Sequence, residues 1–411
     1  MKLSLSDKKA FTFLCVCTLI LYGYSWHQIN WAMLAYAAMI PLFLMKQTPV
    51  KVSMPLFPVI FLLTLNLVRA LCGSASYLSV LQNLFLVLVI FLFVEYQTDG
   101  AFFYKCYRRI AIIATLMVYI QAFGVVFLNR YISGALPVGN NKQSVFEKQT
   151  RSMGQLTLSR VRPRSLFYEP TMYGLFVGVF LVLFLLSGKK LKKRDWLLGF
   201  MLTFGVILSG SSAGILLAGL GWMACFVRQL KTGKITTWHL FLVLITFLAA
   251  TIYLQTDIAK TFLERTFQSE TGGTAGRLAG YVFAFDLKNY TASEFLFGHG
   301  VDKTVFPEYM ATWPRLLYYF GIFGVLIYLG GIAYFWLRGN RMQRLVLLLL
   351  MISSVFFILL YSNDVVFWAA LYAASSDKGC DAMFLPLRIR CRHPVPTMDW
   401  HGEYCLSDLT K

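Results

Sequence analysis

The chain has 411 residues, of which 58% are hydrophobic and only 14% charged, with a mean hydropathy of +0.63 and a formal net charge of +19. Soluble domains lie nearer half apolar and a quarter charged, so this composition excludes a soluble globular protein and predicts a polytopic membrane protein. No basic, aromatic-interleaved soluble region accompanies the positive charge, so nucleic acid is not an expected partner.

In chain order, apolar runs of bilayer length fall at about 10–25, 30–45, 55–71, 77–94, 109–128, 170–187, 195–209, 211–227, 238–254, 315–337 and 343–360. The expected fold is all-α, with about eleven transmembrane helices. Lys8 and Lys9 before the first run resemble a signal peptide, but bulky Tyr22–His27 offers no small-residue cleavage site. Lys and Arg then cluster on alternate connections: 2–9, 46–51, 105–109, 189–194, 228–234 and 338–344. The positive-inside rule puts these, and the N-terminus, on the cytoplasmic side, with attraction to anionic membrane lipid. The cysteines show neither Cys-x-x-Cys nor His-rich spacing, so no metal is expected.

Two long connections fall on the opposite side, at about 129–165 and 255–314. The first carries seven basic residues against one acid, Glu147. The second is long enough to imply a function of its own and contains Gly272-Gly273-Thr274-Ala275-Gly276-Arg277 and Phe297-Gly298-His299-Gly300. Beyond residue 360, Val365–Tyr372 begins a further apolar run that stops near Ser375, a truncated twelfth helix. The membrane domain is thus 1–375. Residues 376–411 are charged, atypical and hold Cys380, Cys391 and Cys405; a frameshift is the expected origin, a genuine soluble tail the alternative.

Residues 160–180 are the most informative stretch: Arg160, Arg162 and Arg164, then Glu169-Pro170, stand directly before an apolar run. Charge beside hydrocarbon is costly. Guanidinium forks there suit a lipid-linked phosphate or diphosphate, held bidentately; simple anchoring at the headgroups is the alternative reading.

Arg162-Pro163-Arg164-Ser165-Leu166-Phe167-Tyr168-Glu169-Pro170, the turn Leu208-Ser209-Gly210-Ser211-Ser212-Ala213-Gly214, the run from Gly276-Arg277 to Phe297-Gly298-His299-Gly300, and Tyr319-Phe320-Gly321-Ile322-Phe323-Gly324 occur in that order. Together they resemble the polysaccharide polymerase and O-antigen ligase superfamily of bacterial inner-membrane enzymes, over roughly 155–337. The resemblance implies metal- and cofactor-independent glycosyl transfer from an undecaprenyl diphosphate donor on the periplasmic face. It also implies lipid-linked oligosaccharide substrates and a chain-length regulator protein as partners.

Such chemistry needs cations on the leaving diphosphate and an acceptor for the hydroxyl proton. Arg162, Arg164 and Arg277 are the leading diphosphate candidates, with Arg160, Arg265 and Arg315 behind them. Glu169, His299 and Asp302 are candidate bases. Each has a structural alternative: Glu169 as a helix cap, Arg277 as a partner of Asp286 or Glu270, His299 as a donor to a loop carbonyl. Ligases of the superfamily typically carry a histidine late in the large loop, and 307–315 has none, so a repeat-unit polymerase is expected over an O-antigen ligase. A flippase or other transporter of lipid-linked oligosaccharide would share the helix count, but no internal repeat is visible.

Overall fold

The structure, a computed structural model, describes residues 5–21, 24–26, 29–45, 56–71, 77–90, 94, 98–134, 140–141, 156–158, 161–187, 191–231, 255, 273–300, 310–356 and 364–376. Among these, α1 (Leu5–Leu21), α2 (Trp31–Met45), α3 (Leu56–Leu71), α4 (Tyr77–Val89) and α5 (Gly100–Leu128) form the first half. There follow α6 (Pro170–Leu186), α7 (Lys193–Leu208), α8 (Ser212–Lys231), α9 (Gly273–Phe285), α10 (Ala292–Phe297), α11 (Thr312–Arg338), α12 (Arg341–Phe356) and α13 (Asp364–Ala374). The apolar run 238–254 and the tail beyond 376 lie outside the described residues. Three of the helices, α5, α8 and α11, are long and apolar enough to cross a membrane, which makes this a membrane protein.

Helix α5 starts nine residues earlier than its apolar run. Asp99 caps it by accepting from the Phe102 N–H at 3.0 Å, and the helix then runs 29 residues, about 43 Å. Lys105, Arg108 and Arg109 therefore sit on the first turns of a helix rather than on a connection.

The core is built around α6, which carries no charge and is buried continuously from Met172 to Leu185. A helix apolar on every side belongs at the centre of a bundle. It lies closest to α8, where Gly174 and Gly214 face each other: a Cβ on Gly214 would stand 2.7 Å from the Gly174 Cα. Small residues of this kind let helix backbones approach in a membrane. On its other side, Tyr107 of α5 packs on Phe176 (4.6 Å between ring centroids), Phe180 (5.1 Å) and Phe367 of α13 (5.5 Å), and its hydroxyl donates to the Phe176 carbonyl at 2.6 Å. The short α13 is thus part of the core. The Ser375 hydroxyl meets Tyr104 at 2.6 Å, and the Ser375 carbonyl accepts from Asn340 at 3.0 Å.

That last pair of bonds orients the bundle. Tyr104 is at the start of α5 and Asn340 in the turn between α11 and α12, so these lie at one end, here the lysine end. The C-terminus of α5, the N-termini of α6 and α11, and the α7–α8 turn then lie at the other, the arginine end. A small sheet, absent from the sequence reading, closes the arginine end. β1 (Tyr24–Trp26) pairs antiparallel with β2 (Ile29–Asn30) and with β3 (Asn140–Asn141), in the order β2-β1-β3 with Ser25 opposite Asn30 and Asn140. Two residues of the first long connection, Asn140 and Asn141, are in this way tied to the α1–α2 link.

Candidate functional site

The arginine segment folds back on α5 through one buried amide. Gln121 Oε1 accepts from the backbone N–H of Arg164 (3.0 Å) and of Ser165 (2.8 Å), while its Nε2 donates to the Ser165 carbonyl (3.2 Å). Ser165 has φ +59°, a left-handed conformation that costs about 1–3 kcal/mol in a residue other than glycine and persists only where its surroundings enforce it. Tyr24 adds a bond from its hydroxyl to the Leu166 carbonyl at 3.4 Å.

This fold puts the two described arginines in different settings. Arg164 is 5% exposed: its Nε donates to the Tyr131 hydroxyl (3.2 Å), its Nη1 to the Tyr168 carbonyl (3.1 Å), and its guanidinium lies 5.8 Å from the Tyr131 ring centroid. Arg162 is half-buried at the rim. Its stem covers Gly210 and its Nη1 donates to the Gly210 carbonyl at 3.1 Å, joining the segment to the α7–α8 turn.

Replacing Gln121 by leucine would strip three buried backbone groups of their partner at once. At about 1–3 kcal/mol for each unsatisfied group, the variant is expected to lose about 3 kcal/mol or more of stability. Gln121→Glu keeps the shared acceptor and should lose less. Thermal melting of the purified variants in detergent makes the comparison; equal losses would remove the amide from its pinning role.

Glu169 occupies the N-cap position of α6 in extended conformation. Its carbonyl accepts from the N–H groups of Met172 (3.1 Å) and Tyr173 (3.3 Å), and Pro170 at the first turn needs no partner. Its carboxylate is exposed and makes no capping hydrogen bond. As an acid at the start of a helix it is still favoured by the helix dipole.

The second cluster forms where α11 breaks. Gly321 has φ +65° and ψ −167°, dividing the helix into 312–320 and 322–338. In an unbroken helix the Tyr318 and Tyr319 carbonyls would accept from residues 322 and 323. Here they accept from the His299 N–H at 2.7 Å and the Gly300 N–H at 3.1 Å. The Gly298-His299-Gly300 turn is in this way seated against the break, and Gly298, at φ +77°, passes directly over the Tyr319 carbonyl.

The imidazole of His299 is stacked on Tyr318, with 4.1 Å between centroids and 26° between planes, and lies 5.1 Å from Tyr290. Its Nδ1 is 3.2 Å from Glu294 Oε1. Thr291 donates both its N–H (2.8 Å) and its hydroxyl (2.7 Å) to the other carboxylate oxygen. Those bonds hold the Glu294 carboxyl below the usual carboxylate range. An ionised Glu294 can only accept, so Nδ1 carries the ring proton and Nε2 is the atom left for chemistry. The side chain is 19% exposed, and Nε2 is buried with no hydrogen-bond partner among the described residues. Burial and the neighbouring Tyr318 push the Tyr290 phenol up to about 12, so it stays neutral; its hydroxyl donates to the Ala284 carbonyl at 2.7 Å.

The break lies a fixed distance along α11 from Arg338. The 17 residues from Ile322 to Arg338 span about 25 Å of a hydrocarbon layer about 30 Å thick. Arg338, stacked 4.5 Å from the Tyr334 ring centroid, marks the lysine-end boundary. His299 thus lies near the opposite boundary, at the arginine end.

Of the remaining candidates, Arg315 is in the first turn of α11 at the same end, its Nε donating to the Met310 carbonyl at 3.1 Å. Arg277 lies on α9, next to an open groove of about 590 Å³ lined by Leu278, Val282, Phe283, Asp286 and Asn289. Asp286 caps the following turn by accepting from the Lys288 N–H at 3.1 Å. Arg160, Arg265, Glu270 and Asp302 lie outside the described residues. Among the described residues, no group of three or more His, Cys, Asp or Glu side chains comes together. Gln121, Glu294 and Tyr318 were missed by the sequence reading. Of these only Glu294 had a local signal, the Thr291-x-x-Glu294 capping box. Neither a scan against family models nor a search of curated proteins returns a match.

Proposed function

We propose that the protein is a polysaccharide polymerase of the bacterial inner membrane, transferring a glycan from an undecaprenyl diphosphate donor to a lipid-linked repeat unit on the periplasmic face. The arginine end is then periplasmic, and the N-terminus and lysine end are cytoplasmic, as the distribution of Lys and Arg favours. The observation that carries the reading is His299. It is an imidazole oriented by a carboxylate, with a buried unpartnered Nε2, at the depth where a lipid-linked sugar leaves the hydrocarbon.

In the proposed reaction the acceptor hydroxyl attacks the anomeric carbon. Its proton passes to His299 Nε2, and the bond to the diphosphate breaks with its electron pair leaving on the phosphate oxygen. Arg162, at the rim, meets the diphosphate, with Arg315 and Arg277 as further cations. Arg164, held inside by Tyr131 and Tyr168, maintains the shape and charge of the segment. Glu169 is an alternative acceptor for the proton. Metal and cofactor have no part in this scheme, and a chain-length regulator is its expected protein partner.

An O-antigen ligase would use the same end and the same donor. A transporter of lipid-linked oligosaccharide is favoured by one observation, the broken helix α11. Against it, the break lies near the boundary rather than at mid-membrane, and its carbonyls are taken by the Gly298–Gly300 turn.

Analysis of surface glycan from a clean deletion decides among the three. A polymerase deletion should leave single repeat units on the surface. A ligase deletion should accumulate long lipid-linked polymer, and a transporter deletion should trap single units on the cytoplasmic side. Full-length surface polymer in the deletion would end the polymerase reading.

A further inference from the structure

The lysine end carries a second charged cluster, remote from His299. On the first turns of α5, Lys105 and Arg109 are exposed and Arg108 is 8% exposed. At the start of α7, Lys192, Lys193 and Arg194 are all exposed. Helices α5 and α7 pack against each other, and Arg194 and Asp195 are the charged groups that act on Arg108. The two described acids of the cluster are each committed to a helix start: Asp195 Oδ2 accepts from the Lys192 N–H at 3.0 Å, and Asp99 caps α5. The corner therefore holds a marked excess of positive charge, one member of which is sunk into the wall between two helices.

Directly beyond the charges both helices present exposed apolar stripes. On α5 the stripe follows Arg109 with Ile113, Leu116 and Ile120, at helical spacing. On α7, Leu197 (70% exposed) and Phe204 (55% exposed) continue the line of Lys193. Tyr119 of α5 and Phe204 stand 6.0 Å apart, so the two stripes converge away from the basic corner. Trp196, on the first turn of α7 with Lys193 and Arg194, packs on Trp222 at 5.4 Å, and aromatic side chains favour a membrane–water boundary.

We propose that the α5–α7 corner is a binding site for one anionic phospholipid of the leaflet at the lysine end. Lys105, Arg109 and Lys193 hold the headgroup phosphate, with Arg108 behind them, and the acyl chains lie along the two stripes. The order of the parts is that of the ligand: cations, then a flanking aromatic, then an apolar furrow of helical length. A further basic corner, at 338–344, differs. Of its arginines, Arg338 is stacked on Tyr334 and Arg344 donates to the Trp336 carbonyl at 3.0 Å, and none of Arg338, Arg341 and Arg344 is buried. The inference needs the protein to be in a membrane but does not depend on the polymerase reading.

Native mass spectrometry of the protein released from nanodiscs tests it, comparing phosphatidylglycerol with phosphatidylcholine. The full chain should retain phosphatidylglycerol and not phosphatidylcholine. The triple variant Lys105→Gln/Arg109→Gln/Lys193→Gln should bind it about a hundredfold more weakly, from the loss of three surface charges. The double variant Arg338→Gln/Arg341→Gln should retain the lipid. All five substituted side chains are exposed, so melting of each variant in detergent without added lipid is read alongside and is expected to be unchanged. Equal weakening in the triple and double variants would reduce the site to diffuse attraction and overturn the proposal. So would equal retention of phosphatidylcholine, or protection against melting by glycerol phosphate as strong as that by the intact lipid, which would assign the corner to a soluble phosphate.

Discussion

Replacing Gly321 by alanine is expected to remove most of the folded protein from the membrane. At φ +65° and ψ −167° the residue lies in a region open essentially to glycine alone, which costs another residue about 1–3 kcal/mol. The added Cβ would also overlap the Leu296 carbonyl and come within 2.6 Å of the Gly298 backbone nitrogen. Those are main-chain atoms of a packed turn, so neither can rotate away. A total loss of about 4 kcal/mol or more is a large share of the stability of an ordinary domain. Gly331, further along the same helix, supplies the control, since a Cβ there meets nothing within 4 Å. Gly331→Ala should be neutral or stabilise by up to about 1 kcal/mol. Size-exclusion profiles and melting of fluorescent fusions in detergent would compare the two. Equal behaviour of both variants would mean that the break is not built into the fold.

Removing the imidazole of His299 should lower polymer formation by about 10²–10⁴-fold, the usual worth of a general base. His299→Gln tests the proton acceptor while keeping a polar side chain near the Tyr318 ring. Glu294→Gln leaves the imidazole in place but turns its partner into a group that can rotate to offer an N–H. A smaller loss, about tenfold or more, is expected there, because the ring tautomer is no longer fixed. Glu294 acts through His299 and is a positioning residue, so a pH profile separates this role from a structural one. The Thr291 bonds depress its carboxyl in the folded protein. The benefit of the anion is therefore complete above the ordinary carboxylate value of about 4.3 and is lost only as pH falls through the lower folded value. Glu294 accordingly stays ionised from neutral pH to about 5, and Glu294→Gln should be less active than wild type at neutral pH. A Glu294→Gln variant as active as wild type at neutral pH, or a His299→Gln variant with full activity, would dismiss the pair as catalytic machinery.

Membrane class and the positions of most helices were legible in the residues because both follow from local composition. An apolar run such as 170–186 has few options in a bilayer other than a helix, since its backbone groups must be satisfied within the segment. The start of α5 was misjudged for a physical reason: hydropathy reports where hydrocarbon begins, whereas the Asp99 cap decides where the helix begins. The truncated run after residue 364 was likewise read as too short to cross. It is short, but Phe367 completes the aromatic core against Tyr107 and Phe176, contacts more than 190 residues distant in sequence that no local pattern encodes.

The candidate site divides along the same line. By itself the sequence determined that this is a membrane protein with arginines before a buried helix and a Gly-His-Gly turn in a long connection, because composition, charge and spacing are written residue by residue. Only the tertiary structure decided what those residues do for one another. It buried Arg164 against Tyr131, gave Gln121 the turn at Ser165, and joined Glu294 to His299 over the break at Gly321. Each of these is a hydrogen bond or stacking contact between segments far apart or bent onto one another. Their partners are selected by which carbonyls and side chains packing leaves to be satisfied, a condition that exists only once the chain has folded.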